Sequence, residues 1–413
     1  MIKNIKNILL SIFSIVGFVG IVELLIFPEL VGYVPLKPHS HLGDGRVLAQ
    51  SSKRGAVPRE EWIALVGDSH ANGNGDWLWS TDPATNPPFH SAHVIHDELG
   101  RDVMNFGASG AGSIWGFVGS PRKTTEVLRL SGRYAFDDPA VVVAIFYSGN
   151  DLDNNLAFVR SAARDASVDL QAIDDAWLDD LIERMTYPSK LRGKRPSWTR
   201  NLYFLRLLGN LAEDLVKDRS PDRVPNLKQG GATNRAQISG KFAALPDNLQ
   251  GPAMDLSERE TRLGLQVTGR ALAWLEKFFP GAEIVVVYLP SPLESYELVG
   301  KMVSTQSYVS GNNLQPVDYV RRRGRELCSL LANMAFEAGY AFVDIGGPFR
   351  EASQENFLHG PRDWKHPNRM GYTVLGREVA KALTTHTPGF RACTETVPEQ
   401  RPPFEFLPRV LIK

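Results

Sequence analysis

The stretch WIALVGDSHANG, residues 62–73, decides the fold. Its first five residues form a short apolar run, and the glycine-flanked turn Gly67-Asp68-Ser69-His70 follows directly. A short apolar run that ends in turn residues is typical of a buried strand in a parallel sheet. Ligands bind beyond the carboxyl ends of such strands, which places Ser69 where a nucleophile would be presented. A serine at such a turn is also a common helix N-cap, so both roles stay open here.

Four further apolar runs, rich in Val and Ile, predict strands at residues 103–106, 141–147, 284–289 and 341–345. Helical patterns lie between them: residues 257–279 open on the capping box Ser257-x-x-Glu260, residues 317–338 stop at Gly339, and residues 371–383 form the last one. Strands that alternate with helices imply parallel pairing through right-handed crossovers. The sequence therefore predicts an α/β fold, a three-layer α/β/α sandwich around a five-stranded parallel sheet.

Composition excludes several classes of protein. The 413 residues are 43% hydrophobic and 22% charged, which is ordinary for a folded chain and excludes wholesale disorder. Lys plus Arg and Asp plus Glu each number 46, and without a basic excess we expect no nucleic-acid partner. Two cysteines, Cys328 and Cys393, cannot form a four-cysteine zinc site, although they can pair outside the cytoplasm.

The N-terminus predicts a single-pass membrane anchor. Lys3 and Lys6 precede an apolar run over residues 8–27 that only Glu23 interrupts. About 20 such residues suffice to cross a hydrocarbon core of roughly 30 Å. The basic start predicts a cytoplasmic N-terminus, with the rest of the chain in the periplasm or outside the cell and Glu23 near the water interface. A cleaved signal peptide is the alternative, although no A-x-A-like site follows the apolar run.

The pattern of composition divides the chain into four parts. These are the anchor (residues 1–28), a juxtamembrane linker (29–57), a folded domain (58–385) and a proline-rich tail (386–413). A polar insertion at residues 155–250 interrupts the domain, with helical patterns at 174–185 and 201–217 and a glycine-containing loop at 229–233. The insertion is long enough to be a lid, a cap or a partner surface.

Three other loops of polar and small residues follow predicted strands. The loops are Asn105-Phe106-Gly107-Ala108-Ser109-Gly110, Ser148-Gly149-Asn150-Asp151 and Asp363-Trp364-Lys365-His366-Pro367-Asn368. Together with Gly67-Asp68-Ser69, and in this order, they resemble the four sequence blocks of the SGNH (GDSL-type) serine hydrolase family. The resemblance covers roughly residues 60–160 and 257–385. Two features depart from the family: His70 stands where leucine is usual, and the insertion is large.

The resemblance implies a flavodoxin-like sheet and a serine hydrolase that uses neither a cofactor nor a metal. Carried across, it makes Ser69 the nucleophile, His366 the general base and Asp363 the carboxylate that holds the His366 ring. The backbone N–H groups of Ser69 and Gly110 and the side-chain amide of Asn150 would form the oxyanion hole. Such an arrangement is chemically consistent, because a serine hydroxyl becomes a good nucleophile only when a neighbouring imidazole accepts its proton.

Two other functions remain open. Asp68 and His70 also form a D-x-H pair that could bind metal with Asn150, Asp151, Asp363 and His366, as in a metal-dependent phosphoesterase. That site would need further ligand histidines, whereas His90, His93 and His96 lie on one stretch with the spacing of a helix face. An anchored binding or assembly protein without activity is the other alternative.

Aromatic residues near the predicted site suggest the substrate. Trp77, Trp79, Trp115 and Trp364 lie in or beside the loops named above, and aromatic faces next to polar groups suit sugar rings as well as acyl groups. We therefore expect the removal, or the transfer, of small O-acyl groups on an envelope polysaccharide or glycolipid, with a lipid-like ester as the other substrate class. The acyl group and the oligomeric state stay open.

Overall fold

The computed structural model describes residues 2–27, 61–75, 89–131, 137–186, 204–205, 208–209, 212, 233–307, 311–385 and 393. The strands in this part of the chain are β1 (Ile63–Val66), β2 (Val103–Asn105), β3 (Val141–Tyr147), β4 (Arg235–Ile238), β5 (Lys241–Ala244), β6 (Leu249–Gln250), β7 (Glu283–Leu289), β8 (Met302–Ser307), β9 (Gly311–Pro316) and β10 (Ala341–Asp344). Five of them form the central sheet in the order β10-β7-β3-β1-β2, and every pair is parallel. The predicted α/β fold with a five-stranded parallel sheet is confirmed, and each predicted strand end lies within one residue of the observed one.

The α-helices of the described residues connect these strands. They are α1 (Ile2–Ile21), α2 (Ser69–Asn72), α3 (Ser91–Leu99), α4 (Ser120–Ser131), α5 (Asp151–Asp165), α6 (Asp175–Thr186), α7 (Glu258–Phe278), α8 (Pro292–Ser295), α9 (Val317–Glu337), α10 (Gly346–Ser353) and α11 (Arg369–Thr384). The predicted capping box opens α7, where Ser257 and Glu260 satisfy each other's backbone N–H groups.

Both faces of the central sheet are covered, because side chains along a strand alternate between them. On β3, Val142, Ala144 and Phe146 join a core with residues of α7 and α9. Val143, Ile145 and Tyr147 join the opposite core with residues of α3 and α11. The result is the predicted three-layer arrangement, with Tyr147 at the carboxyl end of the central strand β3.

The sequence did not predict the smaller sheets. Strands β4 and β5 form an antiparallel hairpin, and β6, β8 and β9 form a three-stranded sheet. Residues 302–316 are rich in Ser, Thr, Gln and Asn and carry no apolar run, so the signal used for the buried strands is missing there. Helix α5 also runs across the boundary at residue 155 where the insertion was predicted to begin.

At the N-terminus, α1 is followed by a π-helical turn over Val22–Ile26. Glu23, expected near the water interface, is instead buried, and one of its carboxylate oxygens accepts hydrogen bonds from the backbone N–H groups of Phe204 and Leu205. No helix among the residues described has both the length and the apolar character to cross a bilayer, so the predicted transmembrane helix is not confirmed.

Several predicted segments lie outside the described residues. They are the linker at 29–57, most of the predicted helix at 201–217, most of the glycine-containing loop at 229–233, and the tail at 386–413 except Cys393. The predicted helix at 174–185 is present as α6. Cys393 forms a disulfide with Cys328 of α9, with 5.8 Å between the two Cα atoms.

Candidate active site

The turn after β1 presents Ser69 at the carboxyl edge of the sheet. Gly67 has a φ of +150°, and a Cβ there would lie 2.9 Å from the Ala71 Cβ and 3.0 Å from the Ile145 carbonyl oxygen. Asp68 caps α2, because its side chain accepts a hydrogen bond of 2.8 Å from the backbone N–H of His70. Ser69 is thus the first residue of a short helix that begins directly at the end of a buried strand.

Ser69, His366 and Asp363 form one chain of hydrogen bonds. The Ser69 Oγ lies 2.8 Å from His366 Nε2, although 297 positions separate the two residues. The other ring nitrogen, Nδ1, lies 2.7 Å from Asp363 Oδ2. A hydroxyl, an imidazole and a carboxylate in this order can move a proton from the hydroxyl to the ring and stabilise the resulting positive charge.

The loop that carries Asp363 and His366 closes on itself. An antiparallel bridge joins His359 to Pro367 at its base. Asn368 caps α11, accepting from Met370 N and Gly371 N, and its amide donates to the Phe357 carbonyl oxygen at 2.8 Å. The loop therefore rests on both the preceding chain and the helix that follows it.

Asp363 is held in its ionised form. Burial alone would raise the pKa of this carboxyl group, but hydrogen bonding and charge from His366, with the backbone N–H groups of Lys365 and His366, hold the pKa below its ordinary value. Asp363 Oδ1 accepts from those two N–H groups at 2.9 and 3.2 Å, which leaves Oδ2 for the His366 ring.

The second loop is fixed by two close backbone approaches. A Cβ on Gly107 would lie 2.1 Å from the backbone nitrogen of Asn72, and a Cβ on Gly112 would lie 2.6 Å from Asn155 Oδ1. The segment between these glycines is therefore held between α2 and α5. Gly110 lies within it, with a φ of +70° and open space where a Cβ would stand.

Asn150 immediately precedes α5 and is buried. Ser69, Gly110 and Asn150 thus follow β1, β2 and β3, which are neighbours in the order β3-β1-β2. Since the three strands are parallel, the three loops share one edge of the sheet. The arrangement suits the oxyanion hole that the resemblance implies, and that role stays a prediction.

Asp68 and His70 do not converge on a common metal position. Nδ1 of His70 lies 3.0 Å from each carboxylate oxygen of Asp68, and Nε2 lies 3.2 Å from the Lys365 carbonyl oxygen. Across the described residues, no group of three or more His, Cys, Asp or Glu side chains is arranged to hold a metal ion. His93 and His96 lie on α3 and His90 caps it, in line with their helical spacing.

The four tryptophans have different positions. Trp115 is 42% exposed and lies on a π-helical turn that spans Ile114–Gly119. This turn follows the Gly110 loop in the sequence. Trp364 packs inside the loop of His366, where its Nε1–H donates to the Pro361 carbonyl oxygen at 2.9 Å. Trp77 and Trp79 lie outside the described residues. A substrate contact is therefore best supported for Trp115.

The sequence did not predict the contacts among three residues at this edge, His70, Tyr147 and Gln250. His70 was considered as a departure from the family and as part of a metal pair with Asp68, whereas in the structure its ring stacks on Tyr147 with 3.7 Å between the centroids. The Tyr147 hydroxyl donates to Gln250 Oε1 at 2.8 Å. A tyrosine at the end of a buried strand and a histidine after the serine were the available signals, but their contact arises only in the fold.

Comparison with known proteins adds a likeness at the level of solved structures. No family model matches the chain, and no curated protein matches it.

Similar solved structures include phospholipase A1 from Streptomyces albidoflavus NA297 (16% identity, 79% of this chain and 98% of that chain, TM-score 0.35). A putative lipolytic protein of the G-D-S-L family from Desulfitobacterium hafniense DCB-2 gives 9% identity over 78% of this chain and 99% of that chain, with a TM-score of 0.30. Est24, a carbohydrate acetylesterase from Sinorhizobium meliloti, gives 12% identity over 79% and 99%, with a TM-score of 0.32. With TM-scores of 0.35 or lower, these likenesses carry no argument about function.

Proposed function

We propose that this protein is a serine esterase of the SGNH (GDSL-type) family. The observation that carries the proposal is the unbroken chain from the Ser69 hydroxyl through the His366 ring to the Asp363 carboxylate, with contacts of 2.8 and 2.7 Å. Serine, histidine and aspartate in this order activate a hydroxyl for attack on an acyl group. An inactive binding protein has no need of this alignment.

The reaction would proceed through an acyl-enzyme. Ser69 Oγ attacks the ester carbonyl carbon while His366 Nε2 takes the hydroxyl proton, and Asp363 stabilises the imidazolium ion that forms. The N–H groups of Ser69 and Gly110 and the amide of Asn150 would bind the oxyanion. The alcohol leaves with the proton from His366, and water or a sugar hydroxyl then accepts the acyl group.

The substrate that we propose is a glycan or glycolipid carrying small O-acyl groups. Support comes from Trp115, which is 42% exposed and follows the Gly110 loop in the sequence, because an aromatic face packs well against the apolar face of a sugar. A lipid-like ester is the second candidate substrate, and transfer to a sugar hydroxyl is the alternative to hydrolysis.

An ester series tests the proposal. Acetate release from an acetylated polysaccharide is measured beside hydrolysis of nitrophenyl acetate and nitrophenyl palmitate, with Ser69→Ala as the inactive control. We expect activity on the two acetyl substrates, and a Trp115→Ala variant with a raised KM for the glycan only. Phe336→Ala, which removes an exposed ring on α9, is the matched control. Activity restricted to the palmitate ester would contradict the glycan substrate, and equal rates for wild type and Ser69→Ala would contradict the esterase.

We also propose that the protein acts outside the cytoplasm. The Cys328–Cys393 disulfide supports this location, because stable disulfides are rare in reducing compartments. Attachment to a membrane through the N-terminal segment remains a prediction. Apolar side chains that are exposed there are Leu10, Ile12, Phe13, Ile15, Val16, Phe18, Ile21, Leu24, Leu25 and Ile26. Fractionation of cells that express the full chain would test both points, since release with the soluble cytoplasmic proteins would contradict them.

A further inference from the structure

His70 is the residue at the site that the proposed chemistry does not use. Its side chain is only 1% exposed, and its ring lies between Asp68, Tyr147 and the loop that carries His366. Nδ1 lies 3.0 Å from both carboxylate oxygens of Asp68, and Nε2 lies 3.2 Å from the carbonyl oxygen of Lys365. Both ring nitrogens are therefore engaged inside the protein.

The chemistry of these partners determines where the protons lie. A carbonyl oxygen can only accept a hydrogen bond, and an ionised carboxylate can only accept as well. Burial opposes ionisation of Asp68, but the charge and hydrogen bonds of His70 hold its pKa below the ordinary value. Both acceptors are satisfied at once only by a ring that carries an N–H group on each nitrogen, as an imidazolium ion does.

His90 shows the opposite pattern in a similarly buried position. Its Nδ1 accepts a hydrogen bond from the backbone N–H of Ala92 at 3.1 Å, while Nε2 lies 3.3 Å from the Asn72 carbonyl oxygen. One donor and one acceptor fit a neutral ring, and burial lowers the pKa of His90 to about 4. Both histidines are buried, so the carboxylate of Asp68 is what distinguishes the surroundings of His70 from those of His90.

The surroundings of His70 also suit a cation. The Tyr147 ring stacks on it, and a tyrosine face attracts a positive charge electrostatically. Gly149 makes room for that ring, because a Cβ there would lie 2.5 Å from Tyr147 ring carbons. The Tyr147 hydroxyl lies 3.4 Å from the same Lys365 carbonyl oxygen that His70 contacts.

The Lys365 carbonyl belongs to the peptide group that joins Lys365 to His366. A hydrogen bond to this oxygen fixes the peptide plane from which the His366 side chain extends. We propose that His70 is a positioning residue: as a buried imidazolium ion paired with Asp68, it holds the Lys365–His366 peptide so that His366 faces Ser69. The proposal rests on the proposed esterase function for its kinetic consequence only, since the protonation of His70 is independent of activity.

Other titratable groups lie around this ring and must be considered in any pH dependence. From the elements packed against His70 these are Asp68, Tyr147, Asp151, His359, Asp363 and His366. Burial, with the charge of Asp68, raises the pKa of Asp151 well above its ordinary value. Burial lowers the pKa of His359 to about 3. Asp68 is the carboxylate in direct contact with the His70 ring, at 3.0 Å from Nδ1.

The protonation is tested without any substrate. Nitrogen NMR of the full chain with ¹⁵N-labelled histidine, recorded from pH 6 to pH 8, reports the protons on each ring, and the spectrum of His70→Gln assigns the His70 signals by their loss. We expect two ring N–H groups on His70 throughout this range and one on His90. A His70 ring with a single N–H at pH 7 would contradict the proposal.

The positioning role is tested by kinetics on a nitrophenyl ester. His70→Leu removes both hydrogen bonds, and we expect kcat to fall about 10- to 100-fold at unchanged KM, because a catalytic group displaced by about 1 Å costs on this order. His70→Gln keeps a donor that can reach the Lys365 oxygen, so its kcat should lie between those of the wild-type protein and His70→Leu. His96→Leu, a buried histidine in the last turn of α3, is the matched control with wild-type kcat.

The outcomes separate the positioning role of His70 from its charged state and from the proposed esterase function. A wild-type kcat in His70→Leu, or equal losses in His70→Leu and His70→Gln, would contradict positioning through the Lys365 carbonyl. If His70→Leu does not fold, the comparison of His70→Gln with His96→Leu takes its place, and a wild-type kcat in His70→Gln at the same KM then contradicts the role of the charged pair. A wild-type protein without esterase activity would contradict the proposed function, whereas the two N–H signals of His70 would still support its charged state.

Discussion

Two aspartate–histidine pairs lie next to each other at the carboxyl edge of the central sheet, with 4.9 Å between the centroids of the His70 and His366 rings. The Asp68–His70 pair is buried, and each side chain is 1% exposed. The Asp363–His366 pair is 24% and 17% exposed. In both pairs Nδ1 of the histidine faces the carboxylate, so besides burial the pairs differ in what Nε2 faces.

That difference decides what each histidine can do. Nε2 of His366 faces the hydroxyl of Ser69, which can donate a proton, so this ring can act as a base. Nε2 of His70 faces a carbonyl oxygen, which has no proton to give, so this ring can only donate. The same two residue types are therefore suited to a base in one place and to a fixed donor in the other.

Replacing His366 should have the largest effect. We expect His366→Ala to lower kcat about 10⁶-fold, as loss of the histidine base does in a serine protease with a Ser-His-Asp triad. His96→Ala, at a buried histidine outside the site, should keep wild-type kcat. The measurement is initial rates on nitrophenyl acetate, and a loss of less than tenfold would mean that His366 is not the base.

Replacing Asp363, the carboxylate of the partly exposed pair, should have the second largest effect. Asp363→Asn keeps the size of the side chain but no longer stabilises the imidazolium ion or fixes the tautomer of His366, so we expect kcat to fall about 10⁴-fold. The loss should appear in kcat, with KM nearly unchanged. A KM effect alone would show that Asp363 binds substrate and does not orient the base.

The same substitution in the buried pair should cost much less. Asp68→Asn still caps α2 through its side-chain oxygen but removes the negative charge that faces the His70 ring, and we expect kcat to fall about tenfold. The ratio between Asp363→Asn and Asp68→Asn measures the difference between orienting the base directly and through a neighbour. Equal losses would make the two pairs functionally equivalent and contradict the comparison.

Asp153 is a half-buried carboxylate whose pKa is affected by no histidine. Burial, with the charge of Asp255, raises its pKa to about 7, whereas the two histidine-paired aspartates have lowered pKa values. A raised native pKa adds stability that is fully present below the unfolded pKa of about 4 and is lost as the pH rises through about 7.

Asp153→Asn removes this dependence. Relative to wild type, we expect the free energy of unfolding of the variant to increase between pH 5 and pH 8, measured by urea denaturation. Asp165→Asn, at an exposed position on the same helix, is the control and should show no such trend. A constant difference across the pH range for Asp153→Asn would mean that this carboxyl group does not titrate with a raised pKa.

The sequence was sufficient to predict the central sheet, because its five strands are apolar runs bounded by turn residues. Ser69 was predicted as a candidate for a related reason, since it stands directly after such a strand, at the edge where the carboxyl ends of parallel strands meet. Asp363 and His366 follow β10 only after the helix α10, and they were predicted through the resemblance of their sequence block. The polar strands β8 and β9 offered no comparable signal.

The partners of His70 could not be predicted. The Lys365 carbonyl lies 295 positions away along the chain. Every residue has a backbone oxygen, so the sequence does not show which one a side chain will contact. The same holds for Glu23, whose hydrogen bonds go to backbone N–H groups of Phe204 and Leu205. Contacts between a side chain and a distant backbone group are set by the fold and not by local sequence.

Covalent labelling of Ser69 tests the central claim most directly. A fluorophosphonate reacts with a serine only when a neighbouring base accepts its proton, so intact-mass and peptide analysis locates the activated hydroxyl. We predict one adduct per chain, on Ser69, in the wild-type protein and in Asp68→Asn, and none in Ser69→Ala or His366→Ala. An unlabelled wild-type protein, or an adduct on another serine that survives in Ser69→Ala, would contradict the account.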